Sequence, residues 1–157
     1  MGFFSKLFGK KEKYKPTTKE VYSVRHSIIQ EKPLGNTPGT SLSEGTIKNV
    51  ISAVLKKDPS KVNLAAIDWL GASEDFGAMN YQHNTAKGYS AVVSGDGKSY
   101  RVVLGAVQHV RQAATDVSPQ IREFINMEID ANETMHLVAI DGIIYAGWTV
   151  IRENVMY

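Results

Sequence analysis

Four histidines, sixteen carboxylates and no cysteine make up the reactive side chains of this 157-residue sequence. The missing thiol excludes cysteine nucleophiles, thiolate zinc sites and disulfide frameworks. His83-Asn84-Thr85 has the H-x-T spacing of paired phosphoester-cleaving units, where one histidine acts as base and a second as acid. The pattern needs two such units. His26, His109 and His136 are followed two positions later by Ile28, Arg111 and Val138, so the second is absent. Gly97-Lys98-Ser99 has the end of a phosphate loop, but that loop needs a glycine five positions before Gly97, and Val92 stands there. A hairpin turn explains the tripeptide better. The histidines show neither helical i, i+4 nor alternating H-x-H spacing, so no metal site is expected. Glu123, Glu128, Asp130 and Glu133 read as a solvated face.

Residues 73–87 show no apolar period and concentrate polar groups. Glu74, Asp75, Asn80, Tyr81, Gln82 and His83 supply donors, acceptors and an aromatic ring. Long loops inside compact domains are uncommon and often functional. This one is expected to be a partner-binding surface. The alternative is a small hydrolase in which His83 works with Glu74 or Asp75 and Tyr81. An enzyme needs those side chains to converge in a pocket, whereas a binding module needs only an exposed patch.

The N-terminus reads MGFFSKLFGKKEKYK. Phe3, Phe4, Leu7 and Phe8 fall on one face of a helix, flanked by Lys6, Lys10 and Lys11 and followed by Lys13 and Lys15. The segment resembles the short membrane-targeting helices of the MinD type in bacterial cell-division and targeting proteins. That resemblance implies reversible contact with an anionic bilayer. Each buried apolar side chain would contribute roughly 1.5–3 kcal/mol and each lysine about 1 kcal/mol. Position 6 is lysine, which rules out the myristoylation pattern.

The elements that must position these groups follow from periodicity. Residues 1–15 form the basic amphipathic tail and 16–40 a linker punctuated by Pro16, Pro33 and Pro38, with a short edge strand allowed at Val21–Val24 and Ile28–Ile29. Residues 41–157 form the domain. Ile47, Val50, Ile51, Val54 and Leu55 make one apolar stripe, predicting a helix over 42–57 capped by Ser41, with Glu44 completing a capping box. Residues 59–71 fit a helix better than a strand. Two hairpins follow, one around 94–99 and one around Asp141-Gly142, the dipeptide suited to a two-residue turn. Between them Ser118-Pro119 restarts a helix.

The fold class is therefore α+β, a single domain with a mostly antiparallel sheet built from two hairpins (a ββαββ core) and helices on one face. This element order is similar to that of the profilin and roadblock/longin sheets. An apolar fraction of 43%, a charged fraction of 22% and a net charge of +2 are ordinary for a globular protein and do not point to nucleic acid. No window reaches the ~20 apolar residues of a membrane span, and the apolar run at the N-terminus is too short for a secretory signal. The chain is expected to be cytoplasmic and peripheral on the inner membrane face. It is read as a non-catalytic interaction module, an adaptor or an inhibitor or immunity-type protein. Its expected partner is another protein, self-association is allowed, and no cofactor is required.

Overall fold

The computed structural model describes residues 17–85 and 87–156. Six antiparallel strands form one sheet in the order β1-β6-β5-β4-β3-β2. They are β1 (Thr18–Ile29), β2 (Gly77–Asn84), β3 (Gly88–Gly95), β4 (Lys98–Gly105), β5 (Glu133–Ile140) and β6 (Ile143–Met156). Four helices stand among the described residues: α1 (Glu44–Leu55), α2 (Lys61–Leu70), α3 (Val107–Ala113) and α4 (Pro119–Ile125). The fold is α+β, as the periodicities predict. The amphipathic tail, with Phe3, Phe4, Lys6, Leu7, Phe8, Lys10 and Lys11, lies outside the described residues.

Both hairpins form at tight aspartate-glycine turns. Asp96 and Gly97 have φ of 52° and 73°, and Asp141 and Gly142 have φ of 51° and 80°. Positive φ at both central residues matches the twist of the flanking strands. The restart at Ser118 is also real. Its hydroxyl accepts the Ile121 N–H at 3.1 Å, and Pro119 occupies the first turn of α4.

Four expectations change. The first helix is capped by Ser43, not Ser41, because the Ser43 hydroxyl takes the Thr46 N–H at 3.2 Å. The preceding residue is tied elsewhere, with the Leu42 N–H bonded to the Glu31 carbonyl at 3.0 Å. The segment read as a linker contains β1, twelve residues paired with β6 from Thr18↔Met156 to Ile29↔Ala146. The segment read as a loop contains β2, an edge strand whose register slips between Met79 and Gln82, with Asn80 at φ 50°. That bulge destroys the two-residue alternation that marks a strand.

The last change concerns layering, for helices cover both faces of the sheet. Val138 and Ile140 of β5 join the core beneath α1 and α2, while Leu137 and Ala139 join Val110 of α3 and Ile121 and Phe124 of α4 on the other side. Alternate residues of a strand point to opposite faces, so an unbroken apolar run is buried on both. Residues 59–71 do hold a helix. Ser60 caps it by accepting the Asn63 N–H at 3.2 Å, and Gly71 closes it with a left-handed φ of 55°.

Candidate functional site

A cleft of about 420 Å³ opens at the end of the sheet where β3 begins, β4 ends and β5 begins, beside the first turn of α2. Its shape comes from two glycines. Gly88 and Gly105 face each other across the β3–β4 ladder, at φ of 144° and 142°. A β-carbon on Gly88 would collide with the Leu104 carbonyl oxygen and lie 2.8 Å from the Gly105 α-carbon. The Ala106 N–H bonds the Lys87 carbonyl at 2.9 Å and holds the two strand ends together. Side chains at either glycine would fill the mouth and force the strands apart.

One wall is aromatic and polar. The Tyr89 hydroxyl donates to Asp58 Oδ2 at 2.7 Å and accepts from Asn63 Nδ2 at 2.9 Å. Asn63 also donates to the Asp58 carbonyl at 2.7 Å, which locks the turn between α1 and α2 onto β3. Burial, reinforced by the hydrogen bond to Asp58, pushes the Tyr89 phenol up to about 12. The His83 ring stacks on Tyr89 at 4.4 Å between centroids, and Tyr81 stacks on the same ring at 5.8 Å. His83 Nδ1 lies 3.8 Å from Asp58 Oδ2. The Tyr81 hydroxyl is buried, and desolvation raises its pKa above the ordinary phenol value, with the Asp58 charge adding to the shift.

The opposite wall comes from β5. His136 Nε2 is 3.0 Å from Thr134 Oγ1, and the ring stacks on Trp148 at 5.8 Å. Burial lowers the imidazole to about 4, so it is neutral at pH 7. Lys87 lines the mouth with an exposed side chain and has no ion-pair partner among the described residues. Among those residues no group of three or more His, Asp or Glu is placed to hold a metal.

The residues singled out from the sequence separate. His83 enters the cleft, and Tyr81 supports its stack. Glu74 and Asp75 stand before the far end of β2, whose run from Gly77 to His83 alone spans about 20 Å. There the Lys56 ammonium bonds Asp75 at 2.8 Å and holds its carboxyl below the usual range, while the Glu74 N–H caps Asn49 Oδ1. Asn80 sits in the bulge, and Gln82 is exposed. The carboxylate near His83 is Asp58, which the sequence analysis did not single out as a site residue. Lys87, Gly88, Tyr89, Gly105 and His136 were also missed as site residues. The only visible signal was the pair of glycines bracketing the first hairpin.

No family profile and no curated protein sequence matches the chain. Its structure is similar to the crystal structure of the N-domain of HMA6, a copper-transporting P-type ATPase. That match has a TM-score of 0.56 and 15% identity, covering 84% of this chain and 98% of that one. The N-domain of HMA8, also a copper-transporting P-type ATPase, matches with a TM-score of 0.53 and 13% identity over 80% and 97% of the two chains. The chain has the fold of these N-domains. A zinc-transporting PIB-type ATPase in its E2.Pi state matches with a TM-score of 0.54 and 14% identity, over 87% of this chain and 20% of that much longer one. The adaptor or immunity-type reading is thereby overturned, because this architecture is one that transport ATPases carry as a domain. The similarity to profilin and longin sheets went no further than the order of the hairpins.

Proposed function

We propose that this chain is a nucleotide-binding domain that takes ATP in the cleft beside α2. The observation that carries the reading is the joint occurrence of an ATPase N-domain fold and a cleft with an aromatic and apolar interior and a free ammonium at its mouth. The interior offers the His83–Tyr89 stack and the side chain of Val62. A flat base gains from such surfaces, while phosphates gain from a lysine that stays in water. The pressed glycines let backbone reach the ligand where a side chain would bar it. The proposed activity is binding. The chain spans one fifth of the zinc-transporting ATPase it resembles, so transport and hydrolysis are not carried over.

The test is calorimetric titration of the full chain with ATP. Saturable one-to-one binding, weakened severalfold by Lys87→Met, supports the reading. No binding at millimolar ATP overturns it.

Two further parts of the proposal concern partners. Glu74, Asp75, Asn80 and Gln82 lie along or beside the exposed edge strand β2, a surface suited to a neighbouring protein or domain. Residues 1–15 are proposed to bring the domain to an anionic membrane on the cytoplasmic side. No helix among the described residues is long and apolar enough to cross one.

A further inference from the structure

The cleft has one polar wall that the general reading leaves without a task. Thr134 and His136 both line it from β5. The His136 ring is held flat against Trp148, with 24° between the planes, and Trp148 is 1% exposed. The imidazole orientation is therefore fixed by the core. Nε2 meets the Thr134 hydroxyl at 3.0 Å, and Nδ1 has no hydrogen-bond partner among the described residues. A neutral imidazole carries one donor and one acceptor, and a hydroxyl can be either. Exchange of the tautomer lets the pair present a donor or an acceptor at Nδ1 without moving an atom of the wall.

Resting on the ATP-binding reading, we propose that Thr134 and His136 are the residues that recognise the hydrogen-bonding edge of the purine base, while Lys87 faces the phosphates. The division follows from where charge is tolerated. A phosphate placed against the β5 wall, where Thr134 is exposed and His136 is half-buried and neutral, would find no cation to offset its charge. A base placed there keeps its edge bonded and lays its ring beside the aromatic wall. Burial also keeps His136 uncharged, as a base-reading group requires.

The experiment titrates the full chain with adenosine, AMP, ATP and inorganic tripolyphosphate. His136→Phe keeps a ring on Trp148 and removes both nitrogens. It should weaken adenosine, AMP and ATP by a common factor of roughly five to ten, and leave tripolyphosphate unchanged. Lys87→Met should leave adenosine unchanged and weaken ATP more than AMP. Thr134→Val, at an exposed position, should cost about threefold for all three base-containing ligands and carries the test if His136→Phe does not fold. A penalty that grows with the number of phosphates, or unchanged adenosine binding in both β5 variants, overturns the inference. If the wild-type chain binds none of the probes, the ATP reading itself falls. If it binds ATP and the β5 variants bind equally well, only this assignment falls.

Discussion

Replacing Gly88 by alanine tests the construction of the cleft. The new β-carbon would overlap the Leu104 carbonyl oxygen and sit 2.8 Å from the Gly105 α-carbon, both of them backbone atoms that cannot rotate away. Overpacking of this kind costs about 1–3 kcal/mol. The φ of 144° is a second and separate penalty for a residue with a side chain, again about 1–3 kcal/mol. The sum, roughly 2–6 kcal/mol, lies below the middle of the typical domain stability of about 5–15 kcal/mol, so the variant should fold. At about 2–4 °C per kcal/mol for a chain of this size, its melting temperature should fall by about 4–24 °C in a calorimetric scan. Gly45 in α1 is the comparator, because a β-carbon there meets nothing within 4 Å. Gly45→Ala should be neutral or stabilising by up to about 1 kcal/mol. A Gly88→Ala chain that melts with the wild type would show that the two strand ends are not pressed together. The argument for a backbone-lined mouth would go with it.

Protonation of His136 should make the domain acid-sensitive. Burial depresses its pKa from 6.5 to about 4, so the unfolded chain takes up a proton that the folded chain refuses. The group is neutral in both states above about pH 7, and stability falls as pH drops from 6.5 towards 4, by about 3 kcal/mol in all. Urea midpoints at pH 7 and 4.5 should differ less in His136→Phe than in the wild type, and equal differences would refute the assignment. Ser43→Ala should cost about 1 kcal/mol in the same assay and Ser41→Ala almost nothing; the reverse order would restore the capping box expected from the sequence. Phe4→Asp combined with Leu7→Asp should abolish flotation of the full chain with anionic liposomes and leave its melting temperature unchanged. Equal flotation of wild type and variant would end the membrane proposal.

What the sequence disclosed was mostly local. Asp141-Gly142 announced its hairpin because Asp-Gly is one of the few dipeptides that readily supply two positive φ angles. The stripe from Ile47 to Leu55 announced α1 because its period matched one face. The cap was misplaced by two residues because Ser41 and Ser43 are equally good cap residues. The hydrogen bond from Leu42 to Glu31 that decides between them is tertiary. The burial of both sheet faces was legible in principle, since Leu137 to Ile140 runs apolar without alternation. The strand β2 was not, because its bulge removed the period. The cleft was least visible. Asp58, Tyr89 and His136 lie far apart in the chain, and only the pairing of β3, β4 and β5 gathers them at one end of the sheet.

The strand order also sets the timetable of folding. β1, early in the chain, has β6 as its one neighbour in the sheet among the described residues, and β6 is the last strand of the sheet to be made. On the ribosome β1 must therefore wait, with Val21, Val24 and Ile28 unpaired, until nearly the whole chain has emerged. The β3–β4 hairpin and the helices closed by local caps can form meanwhile, but the β1–β6 seam carries the longest sequence separation of the described strand pairs, and such contacts close late. A nascent β1 with an open edge invites pairing with a neighbouring chain. Lys19, Glu20 and Arg25 along it are charges of the kind that blunts an open strand edge.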